Sequence, residues 1–329
     1  LATRCARAGF ASRCALRLRR NSTLTQTPFV RSSSVQAAFD AGTPIVALES
    51  TIITHGMPYP QNLEMARQVE ATVRAGGAEP ATIAVIDGTL FVGLEDVQLE
   101  TLAQTKGAAK LSRADMAVCL ATGGTGATTV AATMIAASLA GISVFATGGI
   151  GGVHRGVEES FDISADLQEL AQTAVTVVAA GAKAILDVSK TLEVLETLGV
   201  PVIAYGQDAV PGFWSAQSIH KAPLRLNSAS EIAKAHLTRA ALGLPGGQLI
   251  GNPIPQDAEI PRAEMEPVIE RALQDAETRG IVGKSVTPYL LQRVFELTEG
   301  RSLSANIALV LNNAAVATQI AREMKNNQP

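Results

Sequence analysis

The sequence predicts an α/β protein: a three-layer α/β/α arrangement with a mixed central sheet and a helical C-terminal part. Three observations carry that expectation. Hydrophobic residues make up 47% of the 329-residue chain but aromatics only 4%, so the apolar mass is Ala, Val, Ile and Leu, as in strands buried on both faces. Strand-length apolar runs alternate with helical periodicities as far as Gly243, and beyond it the pattern is nearly all helical. Asp87-Gly88 between two apolar runs is a hairpin signal, which makes the sheet mixed rather than wholly parallel.

In chain order, strands are expected at Ile45–Leu48, Thr82–Ile86 and Leu90–Val92, with the amphipathic helix Asn62–Ala75 after the first. From Met116 to Val153 no residue carries a full charge, a length that could cross a bilayer. Glycines and threonines interrupt it, and it parses as strand Met116–Ala121, a Gly loop, buried helix Ala127–Ala140, strand Ile142–Thr147 and a second Gly loop, so no membrane is expected. Helix Ala165–Thr173, strand Val175–Ala179, helix Leu192–Leu198, strand Val202–Tyr205 and helix Ser230–Leu242 continue the alternation. A short extended segment near Leu249–Gly251 precedes helices Ala263–Arg279, Pro288–Leu297 and Leu303–Arg322.

Composition also excludes. The net charge is −3, and no Lys/Arg-rich run lies in the globular part, which argues against a nucleic-acid partner. Three cysteines, Cys5, Cys14 and Cys119, make no disulfide framework or zinc pattern, so a reducing compartment is expected. The first 39 residues hold seven Arg, no Lys and no acid; taking those seven charges from −3 leaves −10 for the rest. Such an Arg- and Ser/Thr-rich leader has the composition of a mitochondrial transit peptide, or is a disordered extension of a cytoplasmic protein. The expected organisation is a leader over residues 1–34 and one domain over residues 35–329.

Several residues could carry chemistry. Lys183 lies in Val175–Leu186, where Thr176 is the one other residue that is neither apolar nor small. It is either a desolvated amine able to attack a carbonyl, or a strand-end lysine that reaches solvent or pairs with Asp187. Glu49 follows strand Ile45–Leu48 directly, where α/β folds place ligand contacts, and is either a general acid or a solvated strand-end carboxylate. Asp162 and Asp166 flank Ser164: a site for a hard cation and hydroxyls, or an N-cap with a favourable first-turn acid. Gly123–Thr129 could cradle a phosphate at a helix N-terminus, with Lys110 and Arg113 supplying charge, or could simply allow tight packing. Asn306 reads as a satisfied core amide unless a ligand is near, and Trp214 carries little by itself.

Taken together, Ala47–Pro58, Gly123–Thr133, Gly151–Gly156, Phe161–Leu170, Ala179–Leu186 and Leu303–Ala314 resemble the pseudouridine-5′-phosphate glycosidase family, over about Val35 to Arg322. The resemblance implies cleavage of the C–C glycosidic bond of pseudouridine 5′-phosphate to uracil and ribose 5-phosphate, with one divalent metal per subunit, typically Mn2+, in a homotrimer. A C-glycoside has no heteroatom leaving group to protonate, so the family opens the ribose and forms a lysine imine at C1′ as an electron sink. On that likeness Lys183 is the Schiff-base nucleophile, Glu49 the proton donor for ring opening, and Asp162 the metal ligand, with water completing the shell. Lys110, Val130, Ser164, Ala165 and Asp166 fall at substrate-contact positions, and His154 and Asn306 near ribose and base. Thr147 and the Gly123–Thr129 loop are the expected phosphate contacts. Two other readings compete: a different Schiff-base phosphosugar enzyme such as an aldolase, which keeps Lys183 without uracil recognition, and a non-catalytic phosphosugar-binding module.

Overall fold

The structure, a computed structural model, describes residues 29–281 and 283–327. Its strands are β1 (Val30–Arg31), β2 (Ile45–Leu48), β3 (Glu79–Ile86), β4 (Thr89–Val92), β5 (Ala109–Leu111) and β6 (Gly126–Thr128). They continue with β7 (Val144–Ala146), β8 (Thr176–Ala179), β9 (Val202–Tyr205), β10 (Leu224–Leu226) and β11 (Gln248–Gly251). The helices are α1 (Ser33–Ala41), α2 (Thr51–His55), α3 (Gln61–Ala75), α4 (Asp96–Gln104), α5 (Arg113–Ala121), α6 (Val130–Leu139) and α7 (Val157–Ser160). After these come α8 (Ala165–Gln172), α9 (Val188–Thr197), α10 (Ala229–Ala241), α11 (Arg262–Thr278), α12 (Val286–Leu297) and α13 (Arg301–Asn326).

All eleven strands join one sheet in the order β1-β4-β3-β2-β7-β8-β11-β9-β10, with β6 on β3 and β5 on β6. The expected three-layer mixed architecture is what forms. Antiparallel pairing is confined to β3 with β4, turned by Asp87-Gly88, and β3 with β6; the other pairs are parallel. β8 is buried along its whole length, as a central parallel strand must be when helices cover both faces. α13 lies over β2, β7 and β8 beside α3 and α10, while α6 covers β2 and β7 from the other face and packs on α8.

The uncharged stretch from Met116 departs from its expected parse. Met116–Ala121 is not a strand but the body of α5, opened by a capping box in which Asp115 accepts from the Ser112 N–H at 3.0 Å. Its buried residues, Met116 and Cys119, are three apart while Val118 is exposed, which is helical spacing. Gly123, at φ +71°, lies just past that helix, and Gly126–Thr128 then form β6. Helix α6 therefore starts at Val130, capped by Thr129, rather than at Ala127. Leu249–Gly251, expected as a minor extended segment, belongs to β11, paired on both sides between β8 and β9.

The expected leader, residues 1–34, lies outside the described residues up to Pro28. Residues 29–34 already belong to the fold: Phe29 is buried, β1 pairs with β4, and Ser32 caps α1. α13 is long and apolar enough by composition to cross a membrane, yet it is packed on the sheet through Leu309, Ala314, Ala317 and Ile320, all fully buried.

Candidate active site

Chain direction locates the site. From β2 the chain crosses through α3 to β3 on one side, and β7 later takes the place on β2's other side. The gap beyond the carboxyl ends of β2 and β7 is thus a topological switch point, where open α/β sheets bind ligands. A cavity of about 710 Å³ lies there, large enough for a nucleotide-sized molecule.

Glu49 lines this cavity as the first residue after β2. The Thr51 hydroxyl donates to its Oε2 and the Thr147 hydroxyl to its Oε1, so the carboxyl group is clamped from both sides. Ser50 pins the strand end beneath it, donating to the Ile83 carbonyl at 2.6 Å and accepting from the Thr128 N–H at 2.9 Å. Thr147, the first residue after β7, is buried and is not on the cavity wall. The expected phosphate contact at Thr147 is therefore corrected: its hydroxyl is spent on Glu49. Of Gly123–Thr129, only Thr129 reaches the cavity, because Gly123 ends a helix and Gly126–Thr128 form a strand.

Lys183 reaches the cavity from the loop after β8. Its N–H donates to the Ile150 carbonyl at 3.1 Å, and the Ile150 N–H donates to the Gly181 carbonyl at 3.1 Å, so this loop is zipped to the glycine-rich loop after β7. Among the described residues the half-buried Lys183 ammonium has no hydrogen bond or ion pair. Asp187, its alternative partner, instead caps α9 and pairs with Lys190 at 2.9 Å. An amine without an ion-pair partner, in a cavity that a carboxyl group also lines, is the arrangement a covalent amine nucleophile needs.

Two helix N-termini close the opposite wall. Val130 begins α6, and Ser164, Ala165 and Asp166 open α8; all four line the cavity. Ser164 caps α8, as one reading expected, accepting from the Asp166 N–H at 3.2 Å. The Asp166 carboxylate accepts from Ala131 N–H at 2.9 Å and Gly151 N–H at 2.8 Å, joining α6, α8 and the glycine loop. Lys110 of β5 adds a cationic side chain to the lining, so this wall suits an anion. Arg113 stays outside: it forms a two-bonded pair with buried Glu169 at 2.8 Å, tying α5 to α8.

His154 and Asp162 face each other across the loop before α8, with Nε2 4.0 Å from Oδ2. Burial holds the His154 imidazole below its ordinary pKa; Asp162 opposes this, and Lys110 and Lys183 reinforce it. His55, also on the wall, is lowered by burial and by Lys110. Among the described residues no three His, Cys, Asp or Glu are grouped to hold a metal ion. The Asp162 side chain accepts no hydrogen bond among the described residues, and one carboxylate at a half-exposed position suits a hard cation that keeps most of its water.

Asn306 lies on the remaining wall with Leu309 and Val310 of α13 and with Phe213. The structure thus brings Lys183, Glu49, Lys110, Val130, Ser164, Ala165, Asp166, His154, Asp162 and Asn306 to one cavity. Sequence reasoning missed Thr51 and His55, which sit one and five residues into the chain after Ser50, and Phe213, adjacent to the singled-out Trp214.

Known proteins share this whole frame. A Roseobacter denitrificans protein named pseudouridine-5′-phosphate glycosidase is 70% identical over 301 residues, covering 92% of this chain and 97% of its own length. One of the same name from Jannaschia sp. is 66% identical over 297 residues, covering 90% and 98%. Among solved structures, the prealnumycin C-glycosynthase AlnA in complex with ribulose 5-phosphate has a TM-score of 0.85 at 38% identity, covering 92% of this chain and 98% of that one. An indigoidine synthase A-like protein from Thermotoga maritima has a TM-score of 0.80 at 34% identity, covering 86% and 94%. The family described as Indigoidine synthase A like protein matches residues 34–323. The chain belongs to that family, alongside its relatives named pseudouridine-5′-phosphate glycosidase.

Proposed function

We propose that this chain is a pseudouridine-5′-phosphate glycosidase working through Lys183. It is an enzyme of pseudouridine catabolism acting on a small phosphosugar, and it breaks a C–C glycosidic bond reversibly. The observation that carries the reading is an uncountered lysine sharing a switch-point cavity with a clamped carboxyl group, in a chain 70% identical to a protein of that name.

In this reading the Lys183 amine bonds to C1′ as the C1′–O4′ bond breaks, and O4′ takes a proton from Glu49. The C1′–C5 bond then breaks as the lysine nitrogen's electron pair forms the imine, and C5 of the departing uracil takes a proton. Water hydrolyses the imine, releasing ribose 5-phosphate and free Lys183. The paired N-termini of α6 and α8, with Lys110, bind the phosphate. Thr51 and Thr147 hold Glu49 in orientation.

A single Mn2+ per subunit fits Asp162, with water filling the other positions. When bound it supplies positive charge that orients substrate oxygens. Asp162→Ala should raise the manganese concentration giving half-maximal activity at least tenfold; an unchanged titration would remove Asp162 from the metal site. The Arg-rich leader supports delivery to mitochondria, and the family likeness supports a homotrimer. A fluorescent fusion of residues 1–39 and light scattering test these two points.

The deciding experiment is chromatography after incubation with pseudouridine 5′-phosphate and manganese. Free uracil with ribose 5-phosphate, and a borohydride-trapped adduct on Lys183, are expected. Folded, metal-loaded protein that yields neither product refutes the reading.

A further inference from the structure

We propose that Trp214 is a positioning residue that locks Asn306 as a hydrogen-bond donor, so that the cavity selects a ring presenting a carbonyl oxygen over one presenting an amine. The inference rests on the glycosidase reading above and names what decides its base specificity.

An indole N–H can only donate. Trp214 is buried, and its Nε1 lies 2.7 Å from Asn306 Oδ1 and 3.2 Å from the Ser302 carbonyl. The Asn306 oxygen is therefore committed to the indole, and the amide NH2 is what remains for a ligand. Flipping the amide would set N–H against N–H in a buried place and leave the indole only its longer bond to the Ser302 carbonyl. Helical spacing puts Asn306 on one face of α13 with Leu309 and Val310, so its NH2 is the polar group of an otherwise apolar patch. The ionisable groups of the lining, Glu49, His55, Lys110, His154, Asp162, Asp166 and Lys183, come from outside α13.

The backbone beneath is held in an uncommon state to achieve this. Phe213 has φ +67°, a left-handed conformation that bulky residues avoid and that persists only where its surroundings enforce it. The Phe213 N–H donates to the Ala180 carbonyl at 3.1 Å, and the Gly212 N–H to the Ser215 carbonyl at 2.9 Å. This turn puts Phe213 on the cavity wall and the next residue, Trp214, beneath Asn306, with the two rings edge to face at 4.9 Å. The Phe213 ring also presses on Gly149, where a Cβ would come within 2.6 Å of it. Both the indole and the segment leading to Lys183 are thereby fixed to one frame. A site with a committed donor rejects a ligand that presents another donor.

The test compares kcat/KM for pseudouridine 5′-phosphate with those for pseudocytidine and pseudoisocytidine 5′-phosphates, which each exchange one carbonyl for an amine. The wild type should disfavour at least one analogue by ~100-fold or more. Trp214→Phe, which frees the amide to flip, should shrink that ratio about tenfold or more. Asn306→Asp keeps the acceptor for the indole but offers no donor, and should reverse the preference; it decides the matter if Trp214→Phe does not fold. An unchanged ratio in folded Trp214→Phe, or an equal loss on all three substrates, overturns the proposal. A wild type that cleaves none of them removes the glycosidase reading, and this inference with it.

Discussion

Replacing Thr147 by Val deletes one hydroxyl from beneath Glu49 and changes little else. The side chain is 2% exposed, and valine has nearly its shape, so no cavity opens. The backbone there is held independently: the Thr147 N–H donates to the Val178 carbonyl at 3.0 Å, and its carbonyl accepts from Asn313 Nδ2 at 2.8 Å. What is lost is the donor to Oε1, leaving Thr51 as the sole clamp on a carboxyl group that can now rotate. Removing one partner of a buried hydrogen bond costs about 1–3 kcal/mol. If that cost falls on the transition state, kcat/KM drops about 5- to 150-fold at 1.36 kcal/mol per decade. The free protein should lose less, because Glu49 lines a cavity that water can enter. The assay is steady-state uracil release, alone and in a Glu49→Gln background, with thermal melting alongside. A folded Thr147→Val enzyme at the wild-type rate, or one whose loss is the same size in the Glu49→Gln background, would refute the clamp.

Three further outcomes are expected. Lys183→Ala should abolish uracil release and borohydride trapping yet melt within a few degrees of the wild type, since no partner is left unpaired; intact-mass measurement after trapping checks it. Gly151→Ala places a Cβ 2.2 Å from Ser164 Oγ and 2.8 Å from Asp166 Oδ2, so it should displace the α8 cap and raise KM about tenfold or more, with a small fall in melting temperature. His55, His154 and His236 all have pKa values lowered from 6.5, each first by burial. The unfolded chain takes up these protons before the folded one, so stability present at neutral pH is lost as pH falls below 6.5. Calorimetry from about pH 7.5 to about pH 5.5 should show the melting temperature falling, and a flat profile would contradict the assignment.

Much of the fold was readable because its central strands are short apolar runs with few alternatives. Ile45–Leu48 and Val202–Tyr205 have the expected bounds, and Asp87-Gly88 makes the expected antiparallel turn. Met116–Ala121 was misread because a six-residue apolar run looks alike in either state; the Ser112-x-x-Asp115 box held the missing information. Leu249–Gly251 gives no hint of its place, since strand order is set by partners far away in the chain. The same limit governs the site. Glu49 and Lys183 stand out locally, as polar groups on apolar runs. Thr147 did not reveal which way its hydroxyl points, and the tie from Trp214 to Asn306 spans 92 residues.

The position of β11 has a consequence for synthesis on the ribosome. β8 and β9 are separated in the sheet by a strand that emerges some forty residues after β9, so a nascent chain ending before Gly251 has a split where its central sheet should be. Either β8 and β9 wait with exposed edges, or they pair prematurely and must part when β11 arrives. The Asn313 amide that fastens the Thr147–Gly148 turn comes later still. The half-made protein thus carries Glu49 and Lys183 without the frame that aligns them, and catalytic competence is deferred until the last helix docks.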